Sequence, residues 1–319
     1  MKEIGGYFEL DLHNNFDFPH ADGILLNTGR NALEYILRSI SIVNRIYIPY
    51  YTCHTVLQPI KQLNINFEFY HINADLEIDR DIVLLDNEYI LYTNYFGLKD
   101  TYIKFLSEKY SNHLIVDYAQ ALFSQHDFVD YCFYTPHKFV GVVDGGIAFS
   151  CDFYDLSNVE TDVSCYRSEH LFIRYDKPAI NGYKLYKENS RQARNQPIKR
   201  MSNLTLSLLK NIDFEMVKKR RIHNFNYLHE KLQYSNLLKF SFQKIPPMFY
   251  PYRTSNVGLR EILIEHGIFI PQFWPNVLEW CASTDLDYKL VQEIMPLPID
   301  QRYNVEDMKY IIDMIEYYG

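Results

Sequence analysis

Along the first two thirds of the chain, short apolar runs alternate with segments whose apolar residues recur at helical spacing. The runs predict strands at Gly23 to Leu26, Ile46 to Ile48, Phe67 to Tyr70, Ile82 to Leu85, Tyr89 to Tyr92, Leu114 to Val116 and Tyr131 to Tyr134, with a return strand near Ile147 to Phe149. Leu33, Ile36, Leu37 and Ile40 follow the first run at helical spacing, a strand-turn-helix entry. Strands alternating with helices predict an α/β domain whose mixed, mostly parallel sheet is flanked by helices. In such sheets ligands gather at the carboxyl ends of the strands.

From about residue 202 the pattern changes to longer helical runs, Leu204 to Leu209 and Phe214 to Leu232. This change predicts a large α/β domain over residues 1–212 and a smaller C-terminal α+β domain, with its connecting helix, over residues 213–319. In the second part Ser255 is placed to cap a helix presenting Leu259, Ile262 and Leu263, with Gly267 just past its end. Asn304 is placed to cap a last helix that buries Met308, Ile311, Ile312 and Ile315. No repeat, low-complexity tract or flexible linker separates the two parts, so they are expected to pack as one unit.

Composition narrows the function classes. The net charge of −8 argues against a general nucleic-acid binder, which needs clustered Lys and Arg. The one basic run, Lys218-Lys219-Arg220-Arg221, reads as the solvated face of a helix. No apolar run approaches the ~20 residues that span a bilayer, and the start MKEIGGYFELDLHNN has no apolar core after a basic segment. Neither a membrane span nor a secretory signal is therefore expected. Five cysteines, odd in number and without a Cys-x-x-Cys pair, argue against a disulfide framework and a zinc site. A cytoplasmic protein with no metal is the expectation.

Four features, in chain order, suit a cofactor with a phosphate, a pyridine nitrogen and an aldehyde. Thr28-Gly29-Arg30 lies between a strand and a helix, where free backbone N–H groups and the helix dipole favour a phosphate. Asp117 ends a buried strand, where a carboxylate needs a cation such as a protonated pyridine nitrogen. Lys138, three residues after Thr135 and again leaving a strand, is an amine able to hold an aldehyde as an imine and to move protons between carbons. Gly141, Gly145 and Gly146 permit close backbone approach. Each feature alone is equally an ordinary cap, turn or surface lysine.

Taken together, Thr28-Gly29-Arg30-x-Ala32-Leu33, Ile48-Pro49-Tyr50-Tyr51-Thr52-Cys53, Asn94-Tyr95-Phe96-Gly97, Asp117-x-Ala119-Gln120, Lys138 with Gly145-Gly146, Met201-Ser202, and Leu297-Pro298-Ile299-Asp300-x-Arg302-Tyr303 resemble the DegT/StrS family of sugar aminotransferases, which use pyridoxal 5'-phosphate (PLP). The similarity covers nearly the whole chain, and its Asp-x-Ala-Gln to lysine section is the specific part. The resemblance implies the fold type I architecture and a homodimer with active sites at the subunit interface. It makes Lys138 the imine lysine and Asp117 the partner of the pyridine nitrogen, the two catalytic residues. Gln120 would contact the ring substituent, while Thr28, Gly29, Arg30 and Thr135 would hold the phosphate. Cys53 stands where the family usually has an aromatic residue on the ring, with Tyr51 or His54 as substitutes. A dehydratase branch has histidine in place of the lysine; the spacing from Thr135 favours Lys138 over His137.

The implied reaction moves an amino group from glutamate to a nucleotide-linked keto-sugar, or a related small carbonyl compound, in surface-polysaccharide or amino-sugar synthesis. His54, Asn94, Arg191, Arg194, Asn195 and Arg253 are the candidate contacts to that substrate, whose anionic groups suit arginine's planar fork. Two alternatives stand beside it: another PLP reaction such as dehydration or elimination, and a non-catalytic relative. Retention of both Lys138 and Asp117 speaks against the last.

Overall fold

Strands hidden on both faces must put apolar side chains on both sides, and that is how the centre of this molecule is built. The computed structural model describes residues 4–319, so the first three residues of the N-terminal stretch read for a secretory signal lie outside the described residues. Seven strands, β1 (Ile24–Leu26), β2 (Arg45–Pro49), β3 (Asn66–Tyr70), β4 (Glu88–Thr93), β5 (Leu114–Tyr118), β6 (Tyr131–Tyr134) and β7 (Gly146–Ser150), form one sheet in the order β1-β7-β6-β5-β4-β2-β3. The five strands from β6 to β3 run parallel, and β7 is antiparallel to both β1 and β6. The expected α/β class with a mostly parallel mixed sheet is therefore observed.

Period-two alternation sends side chains to two different cores. Ile90, Tyr92, Leu114, Val116 and Tyr118 enter one, and Tyr89, Leu91 and Ile115 enter the other with the Gly29–Ser39 and Leu57–Gln62 helices. A third core lies in the C-terminal part. It joins Phe225, Leu228 and Leu232 of the Phe214–Leu232 helix to the hairpin of β8 (Tyr250–Arg253) and β9 (Ile294–Leu297) and to the Val305–Tyr318 helix. No helix among the described residues is long and apolar enough to cross a membrane.

Three local expectations are corrected. Ile82 to Leu85 is not a strand: Ile82 is buried, but Val83 and Leu85 face solvent, and β3 and β1 already close the two edges of the sheet. Ser255 does not cap the following helix, which runs Leu259–Glu265 from Gly258 with no side-chain cap, although Gly267 does end it at φ +83°. The basic run is not uniformly solvated: Lys219 and Arg220 are exposed, but Arg221 is 2% exposed. Asn304 caps the last helix as expected, in a reciprocal capping box with Asp307.

Candidate active site

Because β4, β5 and β6 are parallel, and β1 shares their direction through β7, the carboxyl ends of all four strands open on one edge. Onto that edge the chain brings Thr28, Asn94, Asp117 and Thr135, each at or just past a strand end. Thr93 pairs with Asp117 and Asp117 with Phe133 across the ladders, so the residue sits on the strand flanked by β4 and β6.

Asp117 is buried, and one carboxylate oxygen accepts the Ala119 N–H at 2.7 Å. Burial raises its pKa, which the nearby positive charge of Lys138 and the Ala119 hydrogen bond oppose. Lys138 ends the single turn Pro136–Lys138 after β6 and is half-buried, while His137 beside it is exposed. Its charge also reaches Cys53. Burial by itself raises the Cys53 thiol, but hydrogen bonding with His54 and Thr55 and the charge of Lys138 outweigh it and bring the pKa to about 7. The Cys53 thiol in turn raises the His54 imidazole, whose surroundings include Arg194.

The turn from β1 into the first helix packs directly against Thr135. A Cβ placed on Gly29 would lie 2.5 Å from Thr135 Oγ1, so only glycine permits this approach of backbone N–H groups to the Thr135 hydroxyl. The Thr28 hydroxyl accepts the Asn31 N–H at 3.1 Å and caps the helix, leaving its own proton to donate. Beneath it, a Cβ on Gly146 would meet the Thr28 carbonyl oxygen at 2.2 Å. Arg30 donates to the carbonyls of Ala193 at 2.6 Å and Arg194 at 2.8 Å, tying the turn to the end of the Ala179–Ala193 helix.

Gln120 accepts the Phe96 N–H at 2.8 Å, and this bond helps hold Phe96 in the left-handed conformation at φ 60°. The Nε2 of Gln120 is buried with no acceptor among the described residues, as is the Nε of Arg30. Unpartnered buried donors, an N–H cradle closed only by glycine, and a carboxylate beside a lysine form a donor set that fits PLP.

Other expected site residues are used differently. Tyr51 is buried in the core, 4.6 Å from Trp274 between ring centroids. Asn94 donates to Asp100 at 2.6 Å and accepts from the Lys99 N–H at 3.0 Å, shaping the entry to the Asp100–Tyr110 helix. Arg253 on β8 pairs with Glu293 at 2.8 Å, exposed Arg191 pairs with Glu188 at 2.7 Å, and Asn195 is exposed. His54 and Arg194 are the two candidate substrate contacts that the fold brings close to each other.

No family model and no curated protein matches the chain in sequence. Solved structures match it in shape. A DegT DnrJ EryC1 StrS aminotransferase from Brucella abortus superposes with a TM-score of 0.61 at 14% identity, over 92% of this chain and 85% of that one. NtdA from Bacillus subtilis, with bound cofactor PMP, gives 0.62 at 13% identity over 92% and 72%. DesI, solved in the presence of its TDP-sugar product, gives 0.65 at 14% identity over 92% and 79%. The chain has the fold of these aminotransferases.

Within that fold one group escaped the sequence reading. Arg221 lies under the lysine turn and donates to the Phe139 carbonyl at 2.9 Å, the Met248 carbonyl at 3.0 Å and Gln301 Oε1 at 3.2 Å. Gln301 Nε2 donates to the same Phe139 carbonyl at 3.0 Å, and the guanidinium stands 4.8 Å from the centroid of the Phe139 ring. Burial lowers the Arg221 pKa to about 10. Set in a run of four basic residues, its sequence gave no sign that its side chain points inward.

Proposed function

We propose that this chain is a PLP-dependent aminotransferase that moves an amino group from glutamate to a nucleotide-linked keto-sugar or a related small carbonyl compound. The reading rests on one observation: Asp117 and Lys138, from the ends of adjacent strands, stand near enough for the lysine's charge to act on the carboxylate, at an edge that also carries the Gly29 turn packed on Thr135. The PMP bound to the Bacillus subtilis structure and the TDP-sugar product of DesI support the cofactor and the substrate class.

Bound PLP supplies an aldehyde that condenses with amines and a ring that takes up the electrons of a deprotonated carbon. Lys138 Nζ would hold that aldehyde and, as a free amine, would take up and return the proton of the substrate carbon. The Asp117 carboxylate, kept out of water, holds the ring nitrogen protonated. The backbone of Gly29 and the hydroxyls of Thr28 and Thr135 bind the phosphate, and the free Nε2 of Gln120 donates to the ring substituent. Arg194 and His54, toward solvent, are placed to meet an anionic substrate group. Exposed Phe172, Tyr175, Ile180, Tyr183 and Tyr186 on the Glu169–Asp176 and Ala179–Ala193 helices form an apolar surface that supports a homodimer.

Glutamate added to PLP-loaded protein is expected to bleach the absorption of the lysine-bound cofactor and release 2-oxoglutarate. Lys138→Ala is expected to lower turnover at least about 10³-fold, and borohydride should no longer label the peptide containing residue 138. An unchanged spectrum without 2-oxoglutarate sinks the transaminase reading and leaves elimination or dehydration on the same scaffold.

A further inference from the structure

A second cluster of reactive side chains lies outside this site, at the opposite edge of the sheet from β1. His71 follows β3, the last strand on that side, while Cys281 ends the short Val277–Trp280 helix and Asp287 opens the Leu286–Glu293 helix. Residues 71 and 287 are 216 positions apart, so no spacing motif announces the group. Folding nevertheless brings one donor atom from each of His71, Cys281 and Asp287 within 4.8 Å of one another.

Three features distinguish this cluster from an ordinary ion pair. Asp287 is fully buried, and its Oδ1 has no hydrogen-bond partner among the described residues. A buried acceptor left this way is unfavourable until a donor or a cation completes it. Second, Asp287 Oδ2 lies 2.7 Å from His71 Nδ1. The two atoms face each other across one shared proton, and a cation that displaces it would be held by both. Third, the imidazole is held from its face by Tyr50, whose ring stacks at 4.5 Å and is itself stacked on Phe69 at 4.5 Å.

We propose that His71, Cys281 and Asp287 bind one zinc ion, with a fourth position left to solvent. Imidazole nitrogen, thiolate sulfur and carboxylate oxygen are the donors zinc takes, and three protein ligands are enough for a zinc site with an open position. Binding would release the thiol proton to solvent and leave the oxidation states of sulfur and metal unchanged. The ion would clip the end of β3 to the C-terminal segment that also holds the Cys53 loop, where Asn276 donates to the Thr52 carbonyl at 2.9 Å and accepts the His54 N–H at 3.3 Å. This proposal is independent of the aminotransferase reading.

Full-length protein stripped with a chelator and titrated with Zn²⁺ against a chromophoric competitor is expected to take up one equivalent per chain. Cys281→Ser and Asp287→Asn should each weaken that binding at least about tenfold, while Cys53→Ser, at the other cysteine with a histidine beside it, should retain it. Co²⁺ in place of Zn²⁺ should give a thiolate charge-transfer band in the unmodified protein. That measurement decides the matter alone if a variant fails to fold. A Co²⁺ complex without the thiolate band, or Zn²⁺ affinity unaltered in Cys281→Ser, overturns the proposal.

Discussion

The two sides of the Lys138 turn are built on opposite rules. Toward the strand ends, buried polar atoms stand without partners: Gln120 Nε2, Arg30 Nε, Thr52 Oγ1 and Thr93 Oγ1 are four of the eight such atoms among the described residues. Beneath the turn, all three nitrogens of Arg221 donate, and Gln301 both donates and accepts. Each unsatisfied buried group costs about 1–3 kcal/mol, a cost that the cofactor proposed above would relieve at this edge. On the satisfied side the hydrogen bonds hold the chain just after Lys138 through the Phe139 carbonyl.

After the loss of Lys138 itself, the largest expected effect breaks the open side. Asp117→Asn should lower turnover by about 10²-fold or more, because an amide cannot hold a ring nitrogen protonated as a carboxylate does. Stability should stay level or rise. Burial raises the folded pKa of Asp117 above its unfolded value, so the ionised form at neutral pH carries a penalty that is absent at acid pH and that asparagine removes. Steady-state rates and thermal unfolding of the two proteins check this together. Full activity in the variant would remove Asp117 from the site.

Arg221→Met tests the closed side, where stability is expected to respond first. Its loss strips the Met248 carbonyl of its Arg221 donor and halves the donors to the Phe139 carbonyl, at an expected cost of about 3 kcal/mol. Denaturant unfolding should show this as a lower midpoint with an unchanged slope. A variant as stable as the parent would mean the buried guanidinium contributes nothing net.

The contrast also explains what was legible in the sequence. The sheet was readable because β4, β5 and β6 are hidden on both faces and so carry the apolar runs Tyr89 to Tyr92, Leu114 to Val116 and Tyr131 to Tyr134. Asp117 was readable because it directly follows such a run, and Lys138 because it stands three residues after Thr135 in a section that resembles a known family. Helices after residue 150 were missed where their apolar residues are exposed, as with Tyr175 and Ile180, and do not mark a core face. Ile82 to Leu85 misled for the converse reason: it is an unbroken apolar run as a buried strand is, but Val83 and Leu85 face solvent and no strand lies beside it to pair with. Arg221, and the His71, Cys281 and Asp287 cluster, depend on contacts between distant segments, which no local pattern encodes.

A smaller effect sharpens the open side through Cys53. Alkylation of this cysteine in PLP-free protein, followed peptide by peptide with iodoacetamide, should rise with pH around a midpoint of about 7. Lys138→Ala should move that midpoint upward, since the lysine's charge is one of the influences that lower it. Equal midpoints in the two proteins would mean that the lysine and the thiol do not share a site.

Gln301→Leu should give the smallest change and tells the most about how the closed side works. Gln301 and Arg221 donate to one carbonyl at 3.0 and 2.9 Å, and Arg221 also donates to Gln301 at 3.2 Å. If the carbonyl of Phe139 needs only one donor, losing Gln301 costs about 1 kcal/mol, because Arg221 still satisfies it. Removing both then leaves that carbonyl buried and bare, and the double variant should lose more than the two single losses added together. Unfolding free energies of the four proteins measure that excess. Simple additivity would mean that each donor acts alone and that the turn carrying Lys138 is held by two separate bonds, without a coupled latch.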